Sequence, residues 1–319
     1  MKCYFAPMEG ITGYIFRNAY EKYYGGIHKY YAPFISPADH CAMNPKERRD
    51  ICPEHNEGLT VVPQILANKA EHFIACTEIL QDMGYKEINL NLGCPSGTVV
   101  SKKKGAGFLT EYDALEQFLD RVYDYCEQVG ISLSIKTRIG RFSPDEWYDL
   151  LDIYNRFPVS ELIVHPRIRD DYYKENPRME FFSYALENSK APLVYNGDLY
   201  TVEDLKKCEE MLTDKNREPV VMLGRGLLYH PELLSKYKEA FKTNIDLSQF
   251  DRKVFRSFHD DLYHGYQEIM SPDINVIYHL KGLWVYWADL FPDHKKIIKK
   301  LLKCKKYAEY EAMLRELGI

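Results

Sequence analysis

Several patterns are missing from this sequence, and each absence excludes a class of site. The eight cysteines form no C-x-x-C pair and share no His/Cys ligand spacing. We therefore predict free thiols in a reducing cytoplasm, with no metal and no disulfides. No G-x-G-x-x-G motif follows the first predicted strand, which argues against a tightly held nicotinamide cofactor of the Rossmann type.

Long apolar runs and a strong charge imbalance are also missing. No stretch approaches the about 20 apolar residues of a membrane helix, and the N-terminus reaches Pro7 without a signal-peptide core. A net charge of −5 argues mildly against nucleic acid as a partner. However, residues 245–319 carry 12 basic and 11 acidic side chains, and seven of the lysines fall between Lys295 and Lys306.

Strand and helix patterns alternate eight times over the first about 240 residues, which is close to the usual size of a (β/α)₈ barrel. Beyond that point only helical periodicity is present. We predict an α/β fold, with a TIM barrel at residues 1–244 and a small all-helical C-terminal domain at 245–319. The predicted strands are residues 3–6, 29–36, 60–66, 87–92, 132–138, 161–165, 193–196 and 220–224.

The segment from Glu87 to Pro95 carries the clearest sign of a reactive site. Its apolar residues alternate with polar ones, as in a strand, and Gly93 and Pro95 then constrain the backbone around Cys94. A lone cysteine is usually a small buried residue. Here two asparagines lie in the strand, where burial would require partners for them, and a lysine-rich loop with glycines follows at 101–107. We therefore predict an active-site edge at Cys94.

Polar residues and glycines recur at the predicted strand ends, where barrel enzymes place their sites. Lys136 alone is as well explained by a solvated lysine, and His165 by a hydrogen-bonded core histidine. Taken together, however, so many polar and glycine-rich strand ends on one face of the barrel indicate a functional site there. The last two, Asn196-Gly197-Asp198 and Gly224-Arg225-Gly226, offer backbone N–H groups and a guanidinium where barrels bind phosphate. We predict a phosphate-bearing cofactor, with Lys136 stabilising negative charge on its reduced ring.

Six short motifs occur in an order that resembles the tRNA-dihydrouridine synthases. They are Ala6-Pro7-Met8-Glu9-Gly10, Asn91-Leu92-Gly93-Cys94-Pro95, Lys136-Thr137-Arg138, His165-Pro166-Arg167, Tyr195-Asn196-Gly197-Asp198 and Leu223-Gly224-Arg225-Gly226. The resemblance implies FMN-dependent reduction of uridine to 5,6-dihydrouridine in tRNA, with NADPH as reductant. We also expect a monomeric protein, and the lack of long apolar runs predicts no membrane association.

Carried over position by position, the resemblance assigns roles to individual residues. Cys94 becomes the acid that protonates carbon 5 of uracil, which suits a thiol that is mostly protonated at neutral pH. The FMN contacts would be Pro7, Met8, Gln64, Asn91, Lys136, His165, Asn196, Gly197, Asp198, Gly224 and Arg225. The substrate contacts would be Arg167, Lys102, Lys103, Lys104 and Lys281. Gly97 departs from the family, which commonly has lysine there, and one of Lys102 to Lys104 is the expected substitute.

The predicted C-terminal domain would hold the tRNA. Lys281, Trp284 and a helix from Lys295 to Lys306 are the candidates. On that helix Lys295, Lys299, Lys303 and Lys306 would share one face, and Ile298, Leu301 and Leu302 another. A solvated helix face explains these lysines equally well when they are taken alone.

Two other functions fit parts of the sequence. A flavin barrel acting on a free pyrimidine, such as a dihydroorotate or dihydropyrimidine dehydrogenase, also pairs asparagine with Cys-Pro, but it has no need of a helical tail to hold its substrate. A non-catalytic RNA-binding protein on the same scaffold would have no use for Cys94, Lys136 or Arg225. The presence of bound flavin would distinguish the two enzymes from this non-catalytic protein.

Overall fold

The computed structural model describes residues 1–39, 42–214, 218–240 and 250–319. The chain forms two compact units. The barrel unit comprises Met1–Glu9, His28–Asp198 and Glu209–Leu223, and the helical unit comprises Gly10–Ile27, Leu199–Cys208 and Gly224–Ile319. The predicted domain boundary between residues 244 and 245 lies outside the described residues and stays a prediction.

A nearly closed parallel barrel with surrounding helices confirms the predicted fold class. The strands are β1 (Lys2–Phe5), β2 (Lys29–Tyr31), β3 (Val61–Val62), β4 (Gln64–Ile65), β5 (Glu87–Leu92), β6 (Ser132–Gly140), β7 (Leu162–Ile168), β8 (Leu193–Tyr195) and β9 (Val220–Leu223). Their order in the sheet is β3-β2-β1-β9-β8-β7-β6-β5-β4, and the paired strands run parallel.

The third predicted strand, residues 60–66, is interrupted at Pro63 and forms two short strands, β3 and β4. The structure therefore has nine strands where eight were predicted. β3 pairs with β2, whereas β4 pairs with β5 on the other side. Pro63 has no N–H to donate, but its carbonyl accepts a hydrogen bond from the backbone N–H of Asn89 at 2.9 Å. A parallel bridge between Ile35 and Ile65 then joins the two ends of the sheet.

The helices confirm the predicted alternation and the helical C-terminal region. They are α1 (Tyr14–Tyr23), α2 (Pro45–Asp50), α3 (Ala70–Asp82), α4 (Gly97–Val100), α5 (Tyr112–Val129), α6 (Glu146–Tyr154), α7 (Met179–Asn188), α8 (Val202–Asp214), α9 (Arg225–Tyr229), α10 (Leu233–Glu239), α11 (Arg252–Ile269), α12 (Asp273–Trp287), α13 (Lys295–Leu301) and α14 (Tyr307–Glu316). Among the described residues, no helix combines the length and apolarity needed to cross a bilayer.

An ion network closes the end of the barrel where the strands begin. The Lys29 ammonium lies 2.9 Å from both Glu87 and Glu161, and the Tyr4 hydroxyl donates to Glu161 at 2.6 Å. These side chains are largely buried, with the lysine 22% exposed. Above them the apolar interior of the barrel includes Tyr31, Val62 and Ile163 among other residues. Polar groups at this end of a barrel serve stability, because the chemistry lies at the opposite end.

The helical unit has its own aromatic core. Phe255 packs edge-on against Trp287 with ring centroids 5.1 Å apart, and Trp284 and Phe291 complete the cluster. Trp284 is therefore a core residue that donates its indole N–H to the Tyr310 hydroxyl. Its burial gives no support to the predicted contact of Trp284 with RNA.

The lysine-rich helix is shorter than predicted. α13 ends at Leu301, and Lys306 instead stands before the first residue of α14, so the prediction that Lys295, Lys299, Lys303 and Lys306 share one helix face is wrong. Ile298 and Leu301 are buried and Leu302 is exposed, so the three do not share one apolar face as predicted. The chain leaves the helix at Leu302, and the residues beyond it no longer follow the helical period.

Candidate active site

The turn after β5 holds Cys94 through the side chain of Asn91. The Asn91 carboxamide oxygen accepts from the backbone N–H of Gly93 at 3.0 Å and of Cys94 at 2.9 Å. An asparagine that bonds to the backbone two and three residues later stabilises a tight turn. The half-buried Cys94 is thus oriented by a residue of the same motif.

Three donors bind the consecutive carbonyl groups around the cysteine. Arg138 donates to the Gly93 carbonyl at 3.1 Å, Ala106 donates its N–H to Cys94 at 3.1 Å, and Arg169 donates to Pro95 at 3.2 Å. Sequence reasoning gave no role to Arg138 or Arg169. The signal for Arg138 was present, because residues two apart on a strand face the same side and Arg138 follows Lys136 by two.

A buried amide ladder supports Asn91 from inside the barrel. Asn91 donates to Gln64 at 2.6 Å, Gln64 donates to Asn89 at 2.7 Å, and Asn89 donates to Ser134 at 2.9 Å. Both asparagines of β5 therefore have the partners that their burial requires. Gln64 is fully buried with both ends of its amide engaged, so in this structure it orients Asn91.

The lysine-bearing segment after α4 packs back onto the cysteine. Gly105 has φ +54°, and a Cβ there would lie 2.9 Å from the Cys94 carbonyl oxygen and 3.0 Å from its Cβ. Only glycine accommodates both the left-handed backbone and this close approach. The Asn68 amide further donates to the carbonyls of Lys102 and Lys103, so the segment has a defined path past Cys94.

The three lysines of that segment have different surroundings. Lys102 is exposed, Lys103 pairs with Glu111 at 2.9 Å, and Lys104 is half-buried with its ammonium 3.2 Å from the Pro37 carbonyl. Burial, followed by the charge of Lys102, lowers the pKa of Lys104. The predicted substrate contacts of these lysines stay predictions.

Electrostatics keep the cysteine in its thiol form. Burial raises the pKa of Cys94, and this outweighs the opposing effects of the Ser96 backbone and of the nearby cations Arg138 and Lys136. A raised thiol pKa leaves the proton on sulfur at neutral pH. The group can therefore donate a proton, whereas an activated nucleophile would need a lowered pKa.

Lys136 occupies an unusual environment for a cation. Burial, followed by repulsion from Arg138, lowers its pKa to about 7. Among the described residues that shift this pKa there is no carboxylate, and only Cys94 acts in the opposite direction. A desolvated ammonium without an acidic neighbour is suited to an electron-rich or anionic ligand.

The ends of β7 and β8 are joined through Arg167. Its buried guanidinium forms a two-point ion pair with the Asp198 carboxylate and donates to Nε2 of His165 at 3.0 Å. Since arginine can only donate, the accepting Nε2 carries no proton. Arg167 thus orients His165 and Asp198, and this burial does not favour its predicted contact with substrate.

The remaining predicted positions follow their strands in the expected places. Asn196 donates to the Met222 carbonyl at 2.8 Å, next to Gly197 and to Asp198, whose φ is +34°. Pro7 and Met8 follow β1 and are half-buried, and Gly224 and Arg225 follow β9 in the sequence. In the helical unit, Lys281 is buried and donates to the Cys304 carbonyl, which gives its ammonium a partner within the protein.

Neither metal nor disulfide chemistry is evident in the part of the chain that the structure describes. No group of three His, Cys, Asp or Glu side chains there could hold a metal ion. Seven cysteines are free thiols, and Cys41 lies outside the described residues.

Comparison with known proteins agrees with this arrangement. The family model described as "Dihydrouridine synthase (Dus)" matches residues 4–311. The chain belongs to the dihydrouridine synthase family. This family member is 28% identical over 267 residues to the probable tRNA-dihydrouridine synthase of Staphylococcus aureus strain COL, covering 80% of this chain and 78% of that protein. It is also 28% identical over 247 residues to the tRNA-dihydrouridine(16) synthase of Pseudomonas syringae pv. tomato, covering 76% of each.

Solved structures share the barrel fold of this dihydrouridine synthase family member. A mutant of morphinone reductase in complex with tetrahydroNAD aligns with a TM-score of 0.53 at 10% identity, over 75% of this chain and 86% of that one. The old yellow enzyme homologue of Zymomonas mobilis aligns with a TM-score of 0.51 at 8% identity, over 77% and 90%. At these identities the likeness concerns the fold alone.

Proposed function

We propose that this protein is a cytoplasmic enzyme that reduces uridine to 5,6-dihydrouridine in tRNA, with FMN as cofactor and NADPH as reductant. Family membership and the names of the relatives support the substrate and the reaction. The observation that carries the proposal is geometric: Asn91 and Arg138 hold the turn that bears Cys94, and Lys136 is the cross-strand partner of Asn91. Burial raises the pKa of the Cys94 thiol and lowers the pKa of Lys136. An acid and an anion-stabilising cation are the two groups that reduction of a carbon–carbon double bond requires from the protein.

The residues at the strand ends fit a flavin. Lys136 needs an electron-rich partner, and the amides of Asn91 and Asn196 lie at the same edge of the barrel unit, where parallel strands end. We assign Pro7, Met8, Asn91, Lys136, His165, Asn196, Gly197 and Asp198 to FMN, with Gln64 orienting Asn91 and Arg167 orienting His165. The proposal adds Gly224 and Arg225 on the sequence pattern alone. When bound, FMN supplies the hydride that enters carbon 6 of uracil.

Cys94 then completes the reduction. Its sulfur donates the thiol proton to carbon 5, and the resulting thiolate recovers a proton from solvent, so each uridine consumes one NADPH and one proton. The bonds to the carbonyls of Gly93, Cys94 and Pro95 keep the sulfur in one place during this transfer. A general acid must lie within hydrogen-bond reach of the atom it protonates, which makes this rigidity part of the chemistry.

The direct test uses the purified protein with FMN, NADPH and unmodified tRNA transcripts. We expect a yellow flavoprotein and a gain of two hydrogens per modified uridine, measured by mass spectrometry of the digested RNA. Free uridine, uracil and orotate form the comparison arm. Reduction of a free pyrimidine in preference to tRNA would instead establish the alternative enzyme, and a protein that binds tRNA but no flavin would establish the non-catalytic one.

Proton uptake on FMN binding is a second expected result. Because the pKa of Lys136 is lowered to about 7 in the free protein, the lysine is mostly neutral at pH 8. A bound electron-rich ring favours the charged form and raises that pKa, so FMN affinity should fall as pH rises above 7. Calorimetric titrations at pH 8 in buffers of different ionisation enthalpy should show uptake of up to about one proton, and Lys136→Met should abolish it. An unchanged uptake in the variant would remove Lys136 from the flavin site.

Loss of Arg225 should weaken FMN retention. A charge-assisted contact with phosphate is worth about 1.5–3 kcal/mol, so Arg225→Ala should raise the Kd for FMN about 10- to 150-fold. Riboflavin, which lacks the phosphate, should bind the variant and the parent protein equally. Arg121→Ala is the matched control, since Arg121 pairs with Glu71 at an exposed position. An equal loss of riboflavin affinity would contradict the phosphate assignment.

The exposed lysines of α13 are proposed to contact the tRNA backbone. Each lost phosphate contact reduces the slope of log affinity against log salt by about 0.7–0.9, so changing Lys295 and Lys299 to glutamine should flatten the slope by about 1.4–1.8. The control changes Lys2 and Lys190, which are exposed near the starts of β1 and β8, at the end of the barrel away from the site. Identical slopes for the two double variants would assign α13 to the solvent.

A further inference from the structure

Three aromatic side chains stand exposed beside the candidate active site. Phe142 is 60% exposed, Tyr172 39% and Tyr173 51%, and we call them the aromatic rim. Phe142 follows β6, whereas Tyr172 and Tyr173 follow β7, and these two strands are neighbours in the sheet. Large apolar side chains at such exposure are costly to hydrate, and grouped exposed aromatics mark a binding surface.

Each ring of the aromatic rim has an arginine over its face. The distance from guanidinium carbon to ring centroid is 4.5 Å for Arg141 and Phe142, 4.9 Å for Arg169 and Tyr172, and 5.4 Å for Arg138 and Tyr173. Asp170 balances part of this charge, since it pairs with Arg169 at 2.8 Å. Aromatic rings combined with guanidinium groups are the surface that unpaired nucleic-acid bases and their phosphates select.

The aromatic rim is tied to the turn that holds Cys94. Arg138, which donates to the Gly93 carbonyl, also donates to the Tyr172 carbonyl at 2.9 Å. Arg169, which lies over the Tyr172 ring, donates to the Pro95 carbonyl. The same two arginines therefore contact both the Cys94 turn and the two tyrosines of the rim, which places Tyr172 and Tyr173 beside the site. Phe142 follows Gly140, which pairs with Ile168 at the end of β7.

Tyr172 is held in an unfavourable backbone conformation. Its φ is +51°, a region that a bulky non-glycine residue rarely adopts and that costs of the order of 1–3 kcal/mol. The Arg138 bond to its carbonyl and its own N–H bond to the Arg169 carbonyl at 3.1 Å maintain it. Such strain persists where it presents a side chain for function, and here it presents a ring to solvent.

We propose that the aromatic rim is a stacking platform for the unpaired bases that flank the target uridine. This inference rests on the proposed function for the identity of the RNA. A uridine can reach Cys94 only after it leaves its own stack, and its neighbours then expose their faces. Phe142 and Tyr172 replace the lost stacking partners, and Arg141 and Arg169, which lie over these two rings, add attraction to the phosphates. The positive charge of these arginines favours RNA, with its negative phosphates, over an uncharged apolar protein surface as the occupant.

The test compares two 12-nucleotide RNAs of equal length and charge, oligouridylate and the same backbone with abasic units. The ratio of their Kd values isolates the contribution of the bases. Stacking on an aromatic residue is worth about 5- to 150-fold in affinity per base. We expect oligouridylate to bind the parent protein more tightly than the abasic strand by at least about 5-fold. The double variant Phe142→Ala, Tyr172→Gly should lower this ratio by at least about 5-fold, and Tyr173 accounts for any preference that remains. Glycine at 172 suits the positive φ, so the change does not strain the loop.

Tyr148→Ala is the matched control. Tyr148 is 43% exposed on α6 and packs edge-on against Tyr184 at 4.8 Å, so it tests the effect of losing an exposed aromatic ring outside the rim. The control should retain the parent ratio of Kd values. An unchanged ratio in the double variant, or an equal loss in the control, would overturn the platform.

A second readout separates this inference from the proposed function. If the parent protein forms dihydrouridine, the double variant should show a raised KM for tRNA, with the rate of flavin reduction by NADPH unchanged. An unchanged KM overturns the platform and leaves the enzyme assignment intact. If the parent protein forms no dihydrouridine, the proposed function fails, and the ratio of Kd values still decides whether the aromatic rim stacks bases.

Discussion

Replacing Cys94 with alanine should slow dihydrouridine formation by about 10²–10⁴-fold, the usual contribution of a general acid. The loss follows from the state of the thiol, whose pKa burial raises, so that it holds a proton at neutral pH. Single-turnover reduction of tRNA by the prereduced enzyme measures the step directly. Reduction of the bound flavin by NADPH should be unaffected, because the thiol takes no part in it.

The thiol at Cys52 provides the control for this experiment. Cys52 is half-buried and bonds to Glu54 at 2.6 Å, in the segment before β3, and Cys52→Ala should retain the parent rate. Cys94→Ser separates acidity from shape, since a hydroxyl of similar size is a much weaker acid. If the alanine variant reduces tRNA as fast as the parent protein, another group supplies the proton and the proposed role of Cys94 is wrong.

Replacing Lys29 with methionine should lower the free energy of unfolding by about 3 kcal/mol, the usual cost of removing one partner of a buried ion pair. The change leaves Glu87 and Glu161 with no cation between them. The pKa of Glu87, already raised by burial, then rises further because a neighbouring carboxylate disfavours the charged form. The native state now binds more protons than the unfolded chain, so stability falls as pH rises.

Urea denaturation at pH 5 and at pH 8 tests this account. The destabilisation by Lys29→Met should be larger at pH 8, where both carboxylates are charged, and adding Glu161→Gln should restore at least about 1 kcal/mol. Lys2→Met is the control, since Lys2 and Glu218 form an exposed pair that should contribute at most about 1 kcal/mol. A loss that is equal at both pH values would mean that packing, and not charge, explains the effect.

Local sequence signals predicted most of the barrel because they act over a few residues. The alternation from Glu87 to Leu92 appears in the structure as β5, since period 2 is a property of the strand itself. A similar signal was overlooked at α2. Asn44 and Glu47 form a capping box, and Pro45 occupies the first helical position, which are signals that a helix begins there.

Contacts between distant residues decided what the sequence could not. The burial of Lys281 depends on the Cys304 carbonyl, 23 positions away, and a lysine in a sequence carries no sign of such a partner. Arg167 was predicted to touch substrate, but its guanidinium is engaged with Asp198 from the next strand. In both cases the tertiary structure supplies the cation with a partner that the sequence does not reveal, and the predicted contacts with substrate stay predictions.

The sequence by itself determined which motif lies at the end of which strand. It therefore also determined that Asn91, Cys94, Lys136 and His165 share one edge of a parallel barrel. The tertiary structure alone decided the state of these groups. The protonated thiol of Cys94, the lowered pKa of Lys136 and the carbonyl bonds of Arg138 and Arg169 all depend on burial and on partners from other strands. Periodicity is a local property of the chain, whereas desolvation and hydrogen bonding across strands exist only once the barrel has closed.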